Sequence, residues 1–83
     1  MTILENRKSS PFQNITIDDV MLEFSVRNVP FKFDLSKISS RLEHATTSQR
    51  ERVELSPDGE GIHWPEVDED LSLIALIRSK TGG

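Results

Sequence analysis

One stretch of the chain gathers residue types that could do chemistry: His63, Trp64 and Pro65, followed closely by Asp68, Glu69 and Asp70. An imidazole beside three carboxylates could ligate a divalent cation, provided that several lone-pair donors converge on one point. The competing reading places the three acids at the start of a helix. There, negative charge complements the exposed N–H dipoles by about 0.3–1 kcal/mol each. We favour the structural reading, because zinc sites usually draw on several His or Cys and the chain has two histidines and no cysteine. The other histidine, His44, falls on a helix and reads as a residue of its exposed face.

Nucleophilic chemistry has still less support. No serine sits in a G-x-S-x-G elbow, and no cysteine can replace it. Gly59-Glu60-Gly61 lacks the Lys-Ser or Lys-Thr that follows a phosphate-cradling loop, and a hairpin turn accounts for it. The expectation is therefore a protein with no catalytic residues, no cofactor and no resident metal, and hence not an enzyme. Trp64 reads as a core anchor, since a chain with five aromatics can hardly leave its largest side chain in water.

Those residues must be positioned by a small fold. At 83 residues, with 35% hydrophobic and 29% charged side chains, the chain can build one modest core, and burial alone must hold it. Charge is unevenly spread. Residues 51–70 carry eight acids against Arg52 alone, whereas the rest of the chain carries six acids and nine bases. Phosphate neutralisation needs a basic face, and Arg27, Lys32, Lys37, Arg41 and Arg50 supply only a thin one, so direct nucleic-acid binding is not expected. The longest apolar run, Leu71 to Ile77, is interrupted by Ser72 and falls far short of the roughly 20 residues that cross a bilayer. Met1 to Ser10 contains Arg7 and Lys8 but no apolar run after them, so no secretory signal is read and a cytoplasmic location is expected.

Along the chain, residues 1–13 are polar or chain-breaking and read as a flexible, disordered N-terminal arm. Ile15 and Ile17 then alternate with polar residues up to an Asp18-Asp19 turn. Leu22, Phe24 and Val26 share one face of the next run, and Phe31 and Phe33 follow a turn at Arg27-Asn28. Leu35, Ile38, Leu42 and Ala45 recur at helical spacing, with Asp34 or Ser36 as N-cap. Thr46 and Gln49 match a capping box. Val53 and Leu55 form a short strand, Pro57-Asp58-Gly59 a turn, and Gly61 to Trp64 the return strand, which Pro65 ends. Residues 66–70 read as an acidic connection to a last helix. The expected order is βββ-α-ββ-α, an α+β fold with an antiparallel sheet and two helices, forming a single domain over 14–80 and fraying through 81–83. Leu73, Ile74, Leu76 and Ile77 crowd one side of that last helix; they either close the core or leave a candidate interface for a partner.

Three runs carry a resemblance: Leu42-Glu43-His44-Ala45-Thr46 with Gln49-Arg50, Gly59 to Pro65, and Asp68 to Ser72. In this order and spacing the chain resembles the bacterial family known as domain of unknown function 2442. Its members share a segment of the form G-x-G-I-H-W-P-x-x-D-E-D-L-S after A-T-x-x-Q-R. The resemblance spans about residues 15–80. It departs from the usual pattern at Arg27-Asn28, where members have Asp-Gly, and near Asp34, where they have a proline. The resemblance implies a small bacterial protein with no accepted enzymatic activity and a protein-binding, antitoxin-like role beside a neighbouring small protein. The acidic stretch 51–70 points to a basic protein as the partner, and an exposed part of the last-helix stripe would pair with a second copy of the chain or another protein. The alternative is a small-ligand or metal-binding domain centred on His63 and the acids after it.

Overall fold

The computed structural model describes residues 2–4 and 11–81. Its first half is a meander of four antiparallel strands, β1 (Thr2–Leu4), β2 (Phe12–Asp18), β3 (Met21–Val26) and β4 (Val29–Asp34), adjacent in chain order. Two local devices set its register. Arg27 and Asn28 both take left-handed φ, 51° and 69°, and Val26 pairs with Val29, which is the two-residue hairpin whose twist matches that of its strands. Asn14, at φ 56°, marks a bulge where the β2–β3 register shifts between Gln13 and Thr16. Strict alternation would put Phe12 and Ile15 on opposite faces; the extra residue turns both into the core.

The helical stretch is split. Helix α1 (Leu35–Ile38) is capped by Asp34, whose carboxylate accepts from the Ser36 N–H, and it ends at Ser39 in extended conformation. Ser39 then caps α2 (Ser40–Glu43) by accepting from the Leu42 N–H. Helix α3 (Thr47–Glu51) begins with the capping box, in which Thr46 and Gln49 satisfy each other's N–H groups. A second antiparallel sheet follows, made of β5 (Glu54–Leu55), β6 (Gly61–Trp64) and β7 (Glu69–Ser72), with the turn at Gly59 (φ 75°) between the first two. Helix α4 (Leu73–Thr81) leaves β7 directly, and the Ser72 hydroxyl accepts from the Ala75 N–H of its first turn.

One core joins the layers. Phe12, Ile15, Ile17, Leu22, Phe24 and Phe33 come from the first sheet, Leu35 and Leu42 from the helices, Ile62 and Trp64 from the second sheet, and Leu73 and Leu76 from α4. Phe24 is its aromatic centre, edge-on to Phe12 at 5.7 Å and stacked with Phe31 and Phe33 at 5.6 and 5.8 Å. No helix among the described residues is long and apolar enough to cross a membrane.

The class is α+β, as the periodicities predict, with five differences of detail. The expected arm over 1–13 is amended at both ends: Thr2 to Leu4 pair with Ile17 to Ile15, and Phe12 is buried at the head of β2, while residues 5–10 lie outside the described residues. The strands divide into sheets of four and three instead of one sheet. The main helix breaks at Ser39. The acids at 69–70 belong to a strand, so they do not begin the last helix; pairing with β6 overrides their weak strand propensity. Thr81 is the last residue of α4, and 82–83 lie outside the described residues.

Candidate functional site

Alternation along β6 sorts the polar cluster. Ile62 and Trp64 point into the core, while Gly61 and His63 face outward. Trp64 is completely buried, and its indole N–H donates to the Arg50 carbonyl at 2.8 Å. Pro65 is exposed and opens the β6–β7 turn, in which Asp68 adopts φ 55°. The Arg41 guanidinium donates to the Asp68 carbonyl at 2.5 Å, with the Asp68 carboxylate 3.9 Å away. Glu69 accepts a 2.6 Å hydrogen bond from the hydroxyl of Ser39, the residue that separates α1 from α2. Asp70 lies across from His63, and its carboxylate meets the imidazole Nδ1 at 2.6 Å.

The three acids therefore go three ways. Asp68 belongs with Arg41, Glu69 with the α1–α2 joint and Asp70 with His63, and among the described residues no group of three or more His, Cys, Asp or Glu side chains converges on one point. His63 and Asp70 alone have the geometry of an oriented imidazole, the half of an acid–base pair in which a carboxylate fixes the ring. Ser56 and Ser72 stand in the same shallow trough, a cavity of about 380 Å³ also lined by Gly61, Ile62 and Leu71. Their hydroxyls are engaged locally: Ser56 accepts from the Gly61 N–H and donates to Asp58, and Ser72 caps α4. The hydrogen bond from Ser56, joined by the Glu60 N–H, holds the Asp58 carboxyl below its ordinary range.

Arg50, counted from the sequence among the residues of a thin basic face, is instead a structural tie inside the fold. It is buried, and one terminal nitrogen donates to the carbonyls of Leu42 and Ala45 at 2.9 and 2.6 Å. The other donates to Asp19 at 2.5 Å. That contact, then the Thr47 hydroxyl, lowers the Asp19 carboxyl below its ordinary range. Arg50 thus ties the β2–β3 turn to the ends of α2 and α3, and through its carbonyl to Trp64. Periodicity cannot announce a buried arginine; the signals in the sequence are its place directly after the capping box and its part in the Gln49-Arg50 run that carries the family resemblance. Its Nε is buried without a partner among the described residues.

The proposed apolar stripe of α4 is mostly absorbed. Leu73 and Leu76 are in the core and Ile77 packs against it, leaving Ile74 at 37% exposure. His44 is exposed, its Nδ1 2.8 Å from the Ser40 carbonyl of its own helix.

Comparisons with known proteins agree with this architecture. A crystal structure of a protein of unknown function from Rhodospirillum rubrum is similar at TM-score 0.58, with 31% sequence identity over 72% of this chain and 72% of that one. No curated protein matches. A family profile described as protein of unknown function (DUF2442) matches residues 11–82, a stretch that includes every core residue above, and the chain belongs to that family.

Proposed function

We propose that the protein is a cytoplasmic, non-enzymatic interaction module of a bacterium that binds a basic protein partner, in the manner of an antitoxin and the small protein encoded beside it. The observation that carries this reading is the charge on the second sheet. From Val53 to Ile77 the chain has seven acids and no lysine or arginine. Arg52 reaches Glu66 at 2.8 Å and Arg41 reaches Asp68, but Glu54, Asp58, Glu60 and Asp70 have no lysine or arginine within ion-pairing distance among the described residues. Such a surface accelerates and selects a basic partner through long-range attraction, at the expense of salt sensitivity.

Affinity capture from the native host at low salt, with the neighbouring genes expressed, tests the reading. The expected product is one stoichiometric basic protein that salt releases. Recovery of no such protein refutes it. The alternative of a small-ligand or metal domain rests on the His63–Asp70 contact alone. Following the His63 ring signals by NMR during titration with zinc and magnesium separates the two, because the interaction reading expects no change.

A further inference from the structure

We propose that two copies of this chain pair edge to edge along β1, antiparallel and centred on Ile3, so that their four-stranded sheets join into one continuous sheet. The inference is independent of the interaction reading above and uses a different surface.

Two open sheets leave β1 and β4 as edges of the first and β5 and β7 as edges of the second. An edge strand invites pairing unless something blunts it, and every edge except β1 carries such a device. In β4, Pro30 has no N–H to offer, and Lys80 from α4 donates to the Lys32 carbonyl at 3.3 Å on the same side of the strand. In β7 the acids Glu69 and Asp70 sit side by side, and the Asp70 N–H donates to the Glu69 carboxylate at 3.0 Å. Strand β5 is two residues long, and one of them is Glu54. By contrast, Thr2, Ile3 and Leu4 of β1 carry neither charge nor proline. Ile3 is also the most exposed large apolar residue among those described, at 64%.

Register selects a second copy as the occupant. Asp18 and Met21 flank a two-residue turn and so share ladder hydrogen bonds, and alternation gives the next such pair at Thr16 and Glu23. With the Thr16 backbone turned to β3, its β1 partner Ile3 directs its own N–H and C=O to the open edge. Thr2 and Leu4 direct theirs to Ile17 and Ile15, so Ile3 is the one centre in β1 about which a two-fold pairing can form. Ile3 opposite Ile3 satisfies both pairs of backbone groups and sets two exposed β-branched side chains against each other on the outer face. On the inner face the same step brings Leu4, already packed on the core, beside Thr2 of the second copy. Charge does not oppose the approach: residues 1–50 carry six acids and seven bases, and the acidic stretch lies on the other sheet. Strand β1 precedes the stretch 11–82 that the family profile matches, so the association belongs to this chain's own N-terminal strand.

Sedimentation velocity of the intact chain from about 10 µM to 1 mM tests this. Three residues make a small interface, so the expected result is a reversible dimer with half-association on the order of 0.1 mM, at the weak end of specific contacts. Ile3→Lys sets like charges opposite each other at an exposed position and should weaken association about ten-fold. Ile3→Thr keeps the β-branch and sheds apolar surface; it should weaken association about two- to five-fold, and it serves if the lysine variant alters the far-ultraviolet circular dichroism. Ile74→Lys, at the exposed position of α4, should change nothing. Ile3→Cys gives a second readout, because the chain has no cysteine of its own and Cα atoms of an opposed antiparallel pair stand about 5.5 Å apart, within disulfide range. Its oxidation should yield covalent dimer faster than that of Ile74→Cys. A chain that stays monomeric throughout, a dimer unaffected by both correctly folded Ile3 variants, a dimer dissolved by Ile74→Lys, or equal oxidation rates for the two cysteine variants overturns the proposal.

Discussion

Replacing Trp64 with alanine probes the point where both sheets and the helices meet. The side chain is fully buried, and a buried tryptophan covers about 150–250 Å². At about 25 cal/mol per Å² that is roughly 4–6 kcal/mol of transfer free energy, and the cost actually paid on truncation is about 3–5 kcal/mol once neighbours relax. A domain of this length has a total stability of about 4–12 kcal/mol at 0.05–0.15 kcal/mol per residue. The variant should therefore be marginally folded at best. Trp64→Phe divides the loss: the ring is largely kept, but the 2.8 Å hydrogen bond to the Arg50 carbonyl is gone, and an acceptor left unpaired in the interior costs about 1–3 kcal/mol. Urea unfolding followed by far-ultraviolet circular dichroism is the assay, because removing the single tryptophan also removes its fluorescence. With a urea m-value of about 1–3 kcal/mol per molar, the alanine variant should lose at least about 1 M in midpoint, with phenylalanine intermediate. Equal midpoints for parent and alanine variant would refute the placement of Trp64 as an anchor. Equal losses for alanine and phenylalanine would shift the weight from burial to the hydrogen bond.

Three further outcomes follow from the geometry. Arg50→Met should destabilise by about 1–3 kcal/mol in the same urea assay, because the Leu42 and Ala45 carbonyls lose their donor. Asn14→Gly should be tolerated and Asn14→Val should cost about 1–2 kcal/mol, since only the latter resists the left-handed conformation of the bulge; thermal melting of both checks this. Asp19, Asp34 and Asp58 have carboxyls held below their ordinary value by Arg50, Ser36 and Ser56 respectively. Their folded-state pKa values are the lower ones, so their contribution is complete above the unfolded value of 3.8 and disappears as pH falls through the depressed values. Acid titration of stability should show that loss below about pH 4, and Asp19→Asn should reduce it.

Where side-chain alternation and turn chemistry act alone, the chain is readable. The β2–β3–β4 meander, the Asp34 cap, the Thr46–Gln49 capping box and the inward tryptophan all follow from residue types at fixed spacing. The features that escape are those decided by partners distant in sequence. Glu69 and Asp70 have little intrinsic preference for a strand, and they form one because β6 offers them ladder positions and because each finds a specific partner, the Ser39 hydroxyl and the His63 imidazole. Ser39 likewise looks like an ordinary helix residue until the Glu69 carboxylate, 30 positions later, draws its hydroxyl while its own N-cap bond ends one helix and starts another. The same logic separates the candidate site from the acidic stretch in which the sequence hides it. Eight acids in residues 51–70 look equivalent in one dimension, but the fold consumes Asp68 and Glu69 in holding the turn and the helix joint, and turns Glu54 and Asp70 outward beside a glycine. Carboxylates that the fold needs are already partnered, Asp70 by His63 among them, so in the proposed reading the acids left to attract a basic partner are Glu54 and Glu60, which have no lysine or arginine within ion-pairing distance among the described residues.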